Sequence, residues 1–284
     1  MGRVGRRIPD WIKFRIPSGQ TYSRVRDLLQ SEKLNTICLE ARCPNMGECF
    51  CSGTATFLIL GKICTRNCRY CSVSKGHPAP PDEDEPDRIA GAVARLGLRF
   101  AVITSVTRDD LPDGGAGHFT AVIGSLRRQV PGIGIEVLIP DFLGKGMEGL
   151  DRIIEAAPDI INHNIEVARP LYGELRPRGD YRRSLEVLAR VSLAGVPAKS
   201  GLMIGFGETL GDILSTLADL RESGCSRLTV GQYLQSDSDG FPVRKFYTPE
   251  EFEGIREAAL GLGFAHVLAG PLVRSSYHAG KMLA

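Results

Sequence analysis

Six of the eight cysteines in this 284-residue chain fall into two sets, Cys38-x4-Cys43-x5-Cys49 and Cys64-x3-Cys68-x2-Cys71. Three thiolates at such spacings can close around one inorganic cluster and leave one of its metal positions without a cysteine. An open metal position is where chemistry happens, so the pattern points to an enzyme with two distinct metal centres. Tyr70, just before Cys71, can pack against the ligand loop. A structural zinc site wants four ligands, often two separated Cys-x2-Cys pairs. The second set has one such pair, with Cys64 nearby and His77 able to complete a site; the first set has none. Iron–sulfur clusters fit better, because thiolates are their usual ligands. Cys51 and Cys225 fall outside the sets and read as core or surface residues, although Cys51 is an extra thiol close to Cys49.

Composition agrees with a soluble enzyme. The chain is 43% hydrophobic and 24% charged, with a formal net charge of +2, which implies neither nucleic acid nor membrane as a partner. No apolar run reaches membrane-spanning length. Residues 1–7 are basic but lack the apolar stretch of a secretion signal, and Gly2 lacks the Ser or Thr of a myristoylation motif. The expected location is the cytoplasm, whose reducing conditions leave thiols free for metals or catalysis. A chain of this length has no need of disulfide staples.

From residue 56 onward, short apolar, β-branched runs alternate with helical segments. Strands are expected at 56–60, 100–106, 133–139, 159–165, 198–204 and 227–233, with a short one at 264–268. Thr209 can cap a helix over 209–223 with Ile213, Leu217 and Leu220 on one stripe and Gly224 beyond its end. Thr248-Pro-Glu-Glu251 combines an N-cap, a proline at the first helical position and a glutamate at the third. Asp180 can cap a helix ending at Gly195, and others are expected over 86–96, 117–129 and 146–156. Such alternation gives an α/β fold with a parallel sheet. Six units favour a partial (βα)6 TIM-like barrel over residues 56–270, with a flat doubly wound sheet as the alternative. Residues 1–55 form an N-terminal extension carrying the first cysteine set, residues 271–284 a C-terminal tail, and the acid- and Pro-rich 75–87 a solvated linker.

Either architecture puts ligands beyond the carboxyl ends of the strands. The second cysteine set follows the first strand, and polar stretches follow four others. These are residues 105–115 and Gly205-Phe-Gly-Glu208, which contain glycine, and Asn162-His-Asn-Ile-Glu166 and Gln232-Tyr-Leu-Gln235, which do not. Taken singly, each could be a solvated turn.

The stretch Cys64-Thr-Arg-Asn-Cys-Arg-Tyr-Cys71, after the first expected strand, resembles the signature of the radical S-adenosylmethionine superfamily. That resemblance implies a [4Fe–4S] cluster whose open iron chelates the amino and carboxylate groups of S-adenosylmethionine. One electron then cleaves the sulfonium, and the 5′-deoxyadenosyl radical abstracts hydrogen. With Ala41-Arg-Cys-Pro-Asn-Met-Gly-Glu-Cys49, Arg108-Asp-Asp-Leu-Pro-Asp-Gly-Gly115, Lys199-Ser-Gly-Leu-Met203, Gly231-Gln-Tyr-Leu-Gln235 and Arg274-Ser-Ser-Tyr-His-Ala279, nearly the whole chain is similar to the lipoyl synthase family. This second resemblance implies an auxiliary [4Fe–4S] cluster on Cys38, Cys43 and Cys49, with Ser276 as its fourth protein ligand. A serine oxygen is a harder donor than thiolate and a poor match for cluster iron, so this bond should be the weakest. Apart from the resemblance, Ser275 and Ser276 read as turn or cap residues. Gly280-Lys281 departs from the family, which usually carries an acidic residue after the alanine.

The implied reaction inserts two sulfurs at C6 and C8 of a protein-bound octanoyl chain, with the auxiliary cluster as sulfur donor. The implied partners are an octanoylated lipoyl carrier protein or domain, a low-potential electron donor and an iron–sulfur carrier for cluster repair. Ser105, Asn164, Glu166, Arg178 and Glu208 follow strand ends and are candidate S-adenosylmethionine contacts, with loop or cap roles as the plain alternative. Arg274 is expected to anchor the terminal loop through charge-assisted bonds. Two other readings compete. A methylthiotransferase would need an RNA-binding domain for which the chain leaves no room. A zinc-stabilised nucleic-acid binder would need a basic stripe, against which the near-neutral charge argues.

Overall fold

The computed structural model describes residues 8–13, 19–51, 56–236 and 240–282. Its strands are β1 (Asn35–Thr36), β2 (Thr56–Ile59), β3 (Ile63–Cys64), β4 (Ser74–Lys75), β5 (Phe100–Ser105), β6 (Gly134–Leu138), β7 (Ile160–Asn162), β8 (Ala198–Ile204), β9 (Arg227–Gln232) and β10 (His266–Gly270). Eight form one sheet in the order β1-β2-β5-β6-β7-β8-β9-β10. From β2 to β10 every pairing is parallel, and β1 adds antiparallel to the edge of β2. β3 and β4 form a separate two-stranded ribbon.

The sheet is open at β1 and β10, yet it curls. In a flat sheet, β2 and β9 would lie about 24 Å apart, five spacings of about 4.8 Å. Here Leu58 of β2 and Gly231 of β9 line one cavity. The short 3₁₀ turn Ala279–Met282 spans the other end of the lumen: Gly280 lies against Phe100 at the start of β5, and Arg227 at the start of β9 donates to the Met282 carbonyl. Curvature of this kind is consistent with a partial barrel.

Among the described residues, six helices of eight or more residues alternate with the strands from β4 to β10, and their starts follow the local chemistry. Thr209 with Asp212 and Thr248 with Glu251 each close a reciprocal capping box, and the Asp180 side chain accepts from the Arg183 N–H at 2.9 Å. Ile213, Leu217 and Leu220 are buried against the sheet. Inside the lumen, Lys199 of β8 donates to both Glu136 oxygens on β6 at 2.8 Å, and neither side chain is exposed. Among the described residues, no helix is long and apolar enough to cross a membrane.

Ahead of the barrel, the helix Gln20–Ser31 buries Val25 and Leu29, and short helices Ile37–Glu40 and Met46–Cys51 follow β1. Residues 20–51 therefore have more order than their weak strand pattern suggests. Cys225 is a core residue: its thiol contacts the Arg227 carbonyl at 3.2 Å, and burial pushes it up to about 12. Gly2 and the side chain of Cys51 lie outside the described residues.

Candidate metal centres and active site

One cavity of about 660 Å³ opens at the carboxyl ends of the strands. Cys38 and Cys43 line it from one side, Cys64, Cys68 and Cys71 from another, and Ser275 and Ser276 from the tail. Cys49 is half-buried against the core beside this wall, its N–H bonded to the Asn45 carbonyl at 2.9 Å. Local structure presents each set. Thr36 caps the short helix holding Cys38 by accepting its N–H at 3.2 Å, and the Cys43 N–H returns to the Cys38 carbonyl at 3.0 Å. Cys64 ends β3, and Cys68 and Cys71 sit on the loop leading to β4.

Burial pushes the Cys71 thiol up to about 12 and raises Cys43 and Cys68, and neighbouring thiols add to the effect. Donors oppose it. Arg176 and Tyr70 favour the Cys68 thiolate, the N–H of Val73 that of Cys71, and the N–H groups of Asn45 and Met46 that of Cys43. The Arg66 N–H donates to the Cys64 sulfur at 3.4 Å. Buried soft donors with N–H groups aimed at sulfur suit an iron–sulfur cluster, whose metal charge compensates the thiolates and whose binding displaces their protons. Among the described residues, no three His, Cys, Asp or Glu side chains close on one point as a single ion would require. His77 is exposed.

A buried polar network braces the second set. Arg66, 4% exposed, holds Asp109 through two bonds of 2.9 and 2.8 Å and Asp141 through one of 2.7 Å. Arg176 lies 3.6 Å from Asp141 and donates to the Tyr172 hydroxyl at 2.7 Å. Burial alone would raise the Asp141 carboxyl, but Arg66 and Arg176 pull it down to about 2. His163 also lines the cavity; burial and the Arg176 charge hold it neutral, with a value near 4. Its Nδ1 faces the Ile139 carbonyl at 2.9 Å and must carry the proton, so Nε2 accepts from Ser184 at 3.0 Å. That ring is a wall element with both nitrogens occupied.

Of the five candidate cofactor contacts, Ser105, Asn164 and Glu166 line the cavity. Ser105 Oγ and Asn164 Oδ1 are buried without a hydrogen-bond partner, as atoms awaiting a ligand would be. Glu166 adopts a left-handed backbone, φ 71°, pinned by its N–H to the Gly201 carbonyl at 2.9 Å and by the Met203 N–H to its own carbonyl at 2.8 Å. Burial raises its carboxyl, against the pull of Arg176. Arg178 and Glu208 are not brought to this cavity. Arg178 donates to the Thr65 carbonyl and borders a separate pocket with Arg66, Asp109 and Lys145. Glu208 accepts the N–H groups of Gly205 and Phe206 and the Tyr247 hydroxyl, so its carboxylate shapes the turn after β8. Arg176, two residues before Arg178, is the arginine that reaches the wall, and sequence reasoning missed it.

The tail docks on the first cysteine segment. Asn45 donates to the Leu272 carbonyl at 2.6 Å, and the Tyr277 hydroxyl to Glu48 at 3.1 Å. Arg274 lies in the cavity wall near Cys43 and donates to the Val273 carbonyl at 2.7 Å. The guanidinium donor makes this bond charge-assisted, and its acceptor is the carbonyl of the preceding residue, so it orders the tail locally. Gly231 permits the approach, since a Cβ there would overlap the Val273 carbonyl oxygen. Ala279 and Met282 are buried, so the departure at Gly280-Lys281 does not prevent the tail from packing.

Comparison with known proteins adds independent information. Residues 58–232 match the radical SAM superfamily, and residues 2–43 match the N-terminal domain of lipoyl synthase of the radical SAM family. The chain is 52% identical over 280 residues to the lipoyl synthase of Methylococcus capsulatus, covering 98% of this chain and 87% of that protein. It is 50% identical over 277 residues to that of Chlorobium phaeovibrioides, covering 97% of each. Among solved structures, Streptococcus suis SuiB bound to S-adenosylmethionine aligns with a TM-score of 0.56 at 12% identity, over 76% of this chain and 51% of that one. The [FeFe]-hydrogenase maturase HydG aligns with a TM-score of 0.53 at 15% identity, over 93% and 74%. At these identities the structural likeness speaks to the fold alone.

Proposed function

Since this chain belongs to the lipoyl synthase family of the radical S-adenosylmethionine superfamily, we propose that its two cysteine sets hold two [4Fe–4S] clusters with different tasks at one cavity. The enzyme inserts sulfur at C6 and C8 of an octanoyl chain carried on a lipoyl protein or domain. Its C–H bonds are not acidic, so a general base cannot break them and a radical is needed. When bound, the clusters and S-adenosylmethionine supply the hydrogen-abstracting radical and the sulfur.

The protein's own share is placement and exclusion of water. Cys64, Cys68 and Cys71 hold the cluster that meets S-adenosylmethionine. Cys38, Cys43, Cys49 and Ser276 hold the auxiliary cluster that donates sulfur. Asn164, Glu166 and Ser105, with Arg176 behind them, form the polar face that receives S-adenosylmethionine; Arg178 and Glu208, bound elsewhere, support the rim. Leu58, Val106, Leu138 and Met203 give the aliphatic chain an apolar wall. In this reading residues 1–55 and 271–284 are extensions that add the auxiliary centre to a barrel of residues 56–270. The setting is the cytoplasm, with a low-potential electron donor and an iron–sulfur carrier that rebuilds the consumed cluster, and with no part for nucleic acid or membrane.

One observation carries the reading: members of both cysteine sets and Ser276 line the same cavity. Anaerobic iron and sulfide analysis of the reconstituted chain tests it. About eight irons and eight acid-labile sulfides are expected for two four-iron clusters; four irons, or stoichiometric zinc, would contradict it.

A further inference from the structure

We propose that Ser275 is a positioning residue that fixes Ser276 through Asn164, making the tail and the cofactor-side loop after β7 one hydrogen-bonded unit. This deepens the reading of Ser276 as a cluster ligand and rests on it.

The Asn164 amide has two N–H groups and uses both within the site. Nδ2 donates to Ser275 Oγ at 2.6 Å and to Glu166 Oε1 at 3.2 Å. Its backbone is tied as well, the carbonyl accepting from Arg176 Nη1 at 3.3 Å. Asn164 is 7% exposed, so water does not compete freely for these bonds. The adjacent strand β8 leaves room for the pair. A Cβ on Gly201 would lie 2.6 Å from Asn164 Oδ1 and 3.0 Å from Ser275 Oγ, so the two side chains occupy space that β8 leaves by carrying glycine there.

Ser276 directly follows the residue so held. A serine oxygen is a weak partner for cluster iron, and its contribution depends on being presented in one orientation. With the Ser275 side chain fixed on Asn164 and the Val273 carbonyl held by Arg274, the backbone that carries Ser276 has little freedom. The same asparagine contacts Glu166 on the side assigned to S-adenosylmethionine. A change at either partner is therefore felt by the other.

The test uses the full chain with both clusters reconstituted anaerobically and measures ferrous iron released to a chelator, alongside Mössbauer spectra of the ⁵⁷Fe-loaded protein. Ser276→Ala sets the reference for a lost ligand. Ser275→Ala and Asn164→Ala are each expected to speed release of one iron roughly five- to tenfold, the scale of one hydrogen bond, and to perturb the same spectral component. The double variant is expected to go no faster than either single, because both remove one interaction. Ser275→Thr, which keeps the acceptor, is expected to release iron at the wild-type rate. Additive effects in the double variant, or wild-type release from Ser275→Ala while Ser276→Ala is fast, would overturn the inference alone. Unchanged release from Ser276→Ala would overturn the ligand reading and the inference with it.

Discussion

Asn45 and Leu272 are 227 positions apart in the chain and 2.6 Å apart in the fold, the asparagine amide donating to the leucine carbonyl. Asn45 lies between Cys43 and Cys49, and Leu272 four residues before Ser276. The bond therefore closes the first cysteine segment onto the tail. Asn45 is buried, so the bond is protected from water.

Removing that bond should loosen the tail before it affects the barrel. Asn45→Ala deletes the donor and leaves a carbonyl short of a partner, a loss of about 1–2 kcal/mol. Amide hydrogen exchange over residues 272–282 should quicken roughly tenfold or more, while β5 to β9 keep wild-type protection. Equal exchange in the tail would show that Asn45 does not hold it.

The two cysteine sets should separate by function. Cys68→Ala is expected to abolish S-adenosylmethionine cleavage. Cys43→Ala should still cleave it, read as 5′-deoxyadenosine, while forming no lipoyl product. A Cys43→Ala protein that made lipoyl product normally would remove the auxiliary set from the chemistry.

Gly231→Ala should reproduce part of the Cys43→Ala behaviour without touching a ligand. The added methyl meets the Val273 carbonyl oxygen, and the tail must shift to admit it. Sulfur insertion should fall by up to about a hundredfold, the scale of roughly a 1 Å misplacement, with 5′-deoxyadenosine formation retained. Undiminished sulfur insertion would mean that tail docking is not limiting.

Acid should weaken the fold through Asp141. Its carboxyl is held at about 2 in the folded protein against an ordinary 3.8, so it contributes stability that is complete above about pH 4 and is lost as pH falls toward 2. The shift corresponds to about 2 kcal/mol. Asp141→Asn removes the carboxylate charge that Arg66 and Arg176 share, leaving Arg66 on Asp109 and Arg176 on the Tyr172 hydroxyl, and should cost about 2 kcal/mol at pH 7. Urea unfolding at a series of pH values checks both points, and the variant should lose less stability between pH 4 and 2 than the wild type.

Much of the barrel was legible because its signals are local. Apolar runs at 100–106 and 198–204 became β5 and β8, and Thr209, Thr248 and Asp180 became the caps that their neighbours allow. The helix Gln20–Ser31 was missed because only Val25 and Leu29 are buried in an otherwise polar stretch, too thin a stripe to stand out. β1, β3 and β4 have two residues each, too few to show a period. At the site, the choice between Arg176 and Arg178 depends on Asp141, which follows a different strand, and on Tyr172, one helical turn before Arg176. Glu208 has the right type and follows a strand end, but the backbone N–H groups of Gly205 and Phe206 engage its carboxylate first.

Mass spectrometry of an octanoylated carrier peptide after anaerobic turnover tests the central claim, that both centres act on one aliphatic chain within one cavity. A gain of two sulfurs with loss of two hydrogens is the expected product. Abstraction without sulfur gain by the fully reconstituted chain would contradict it.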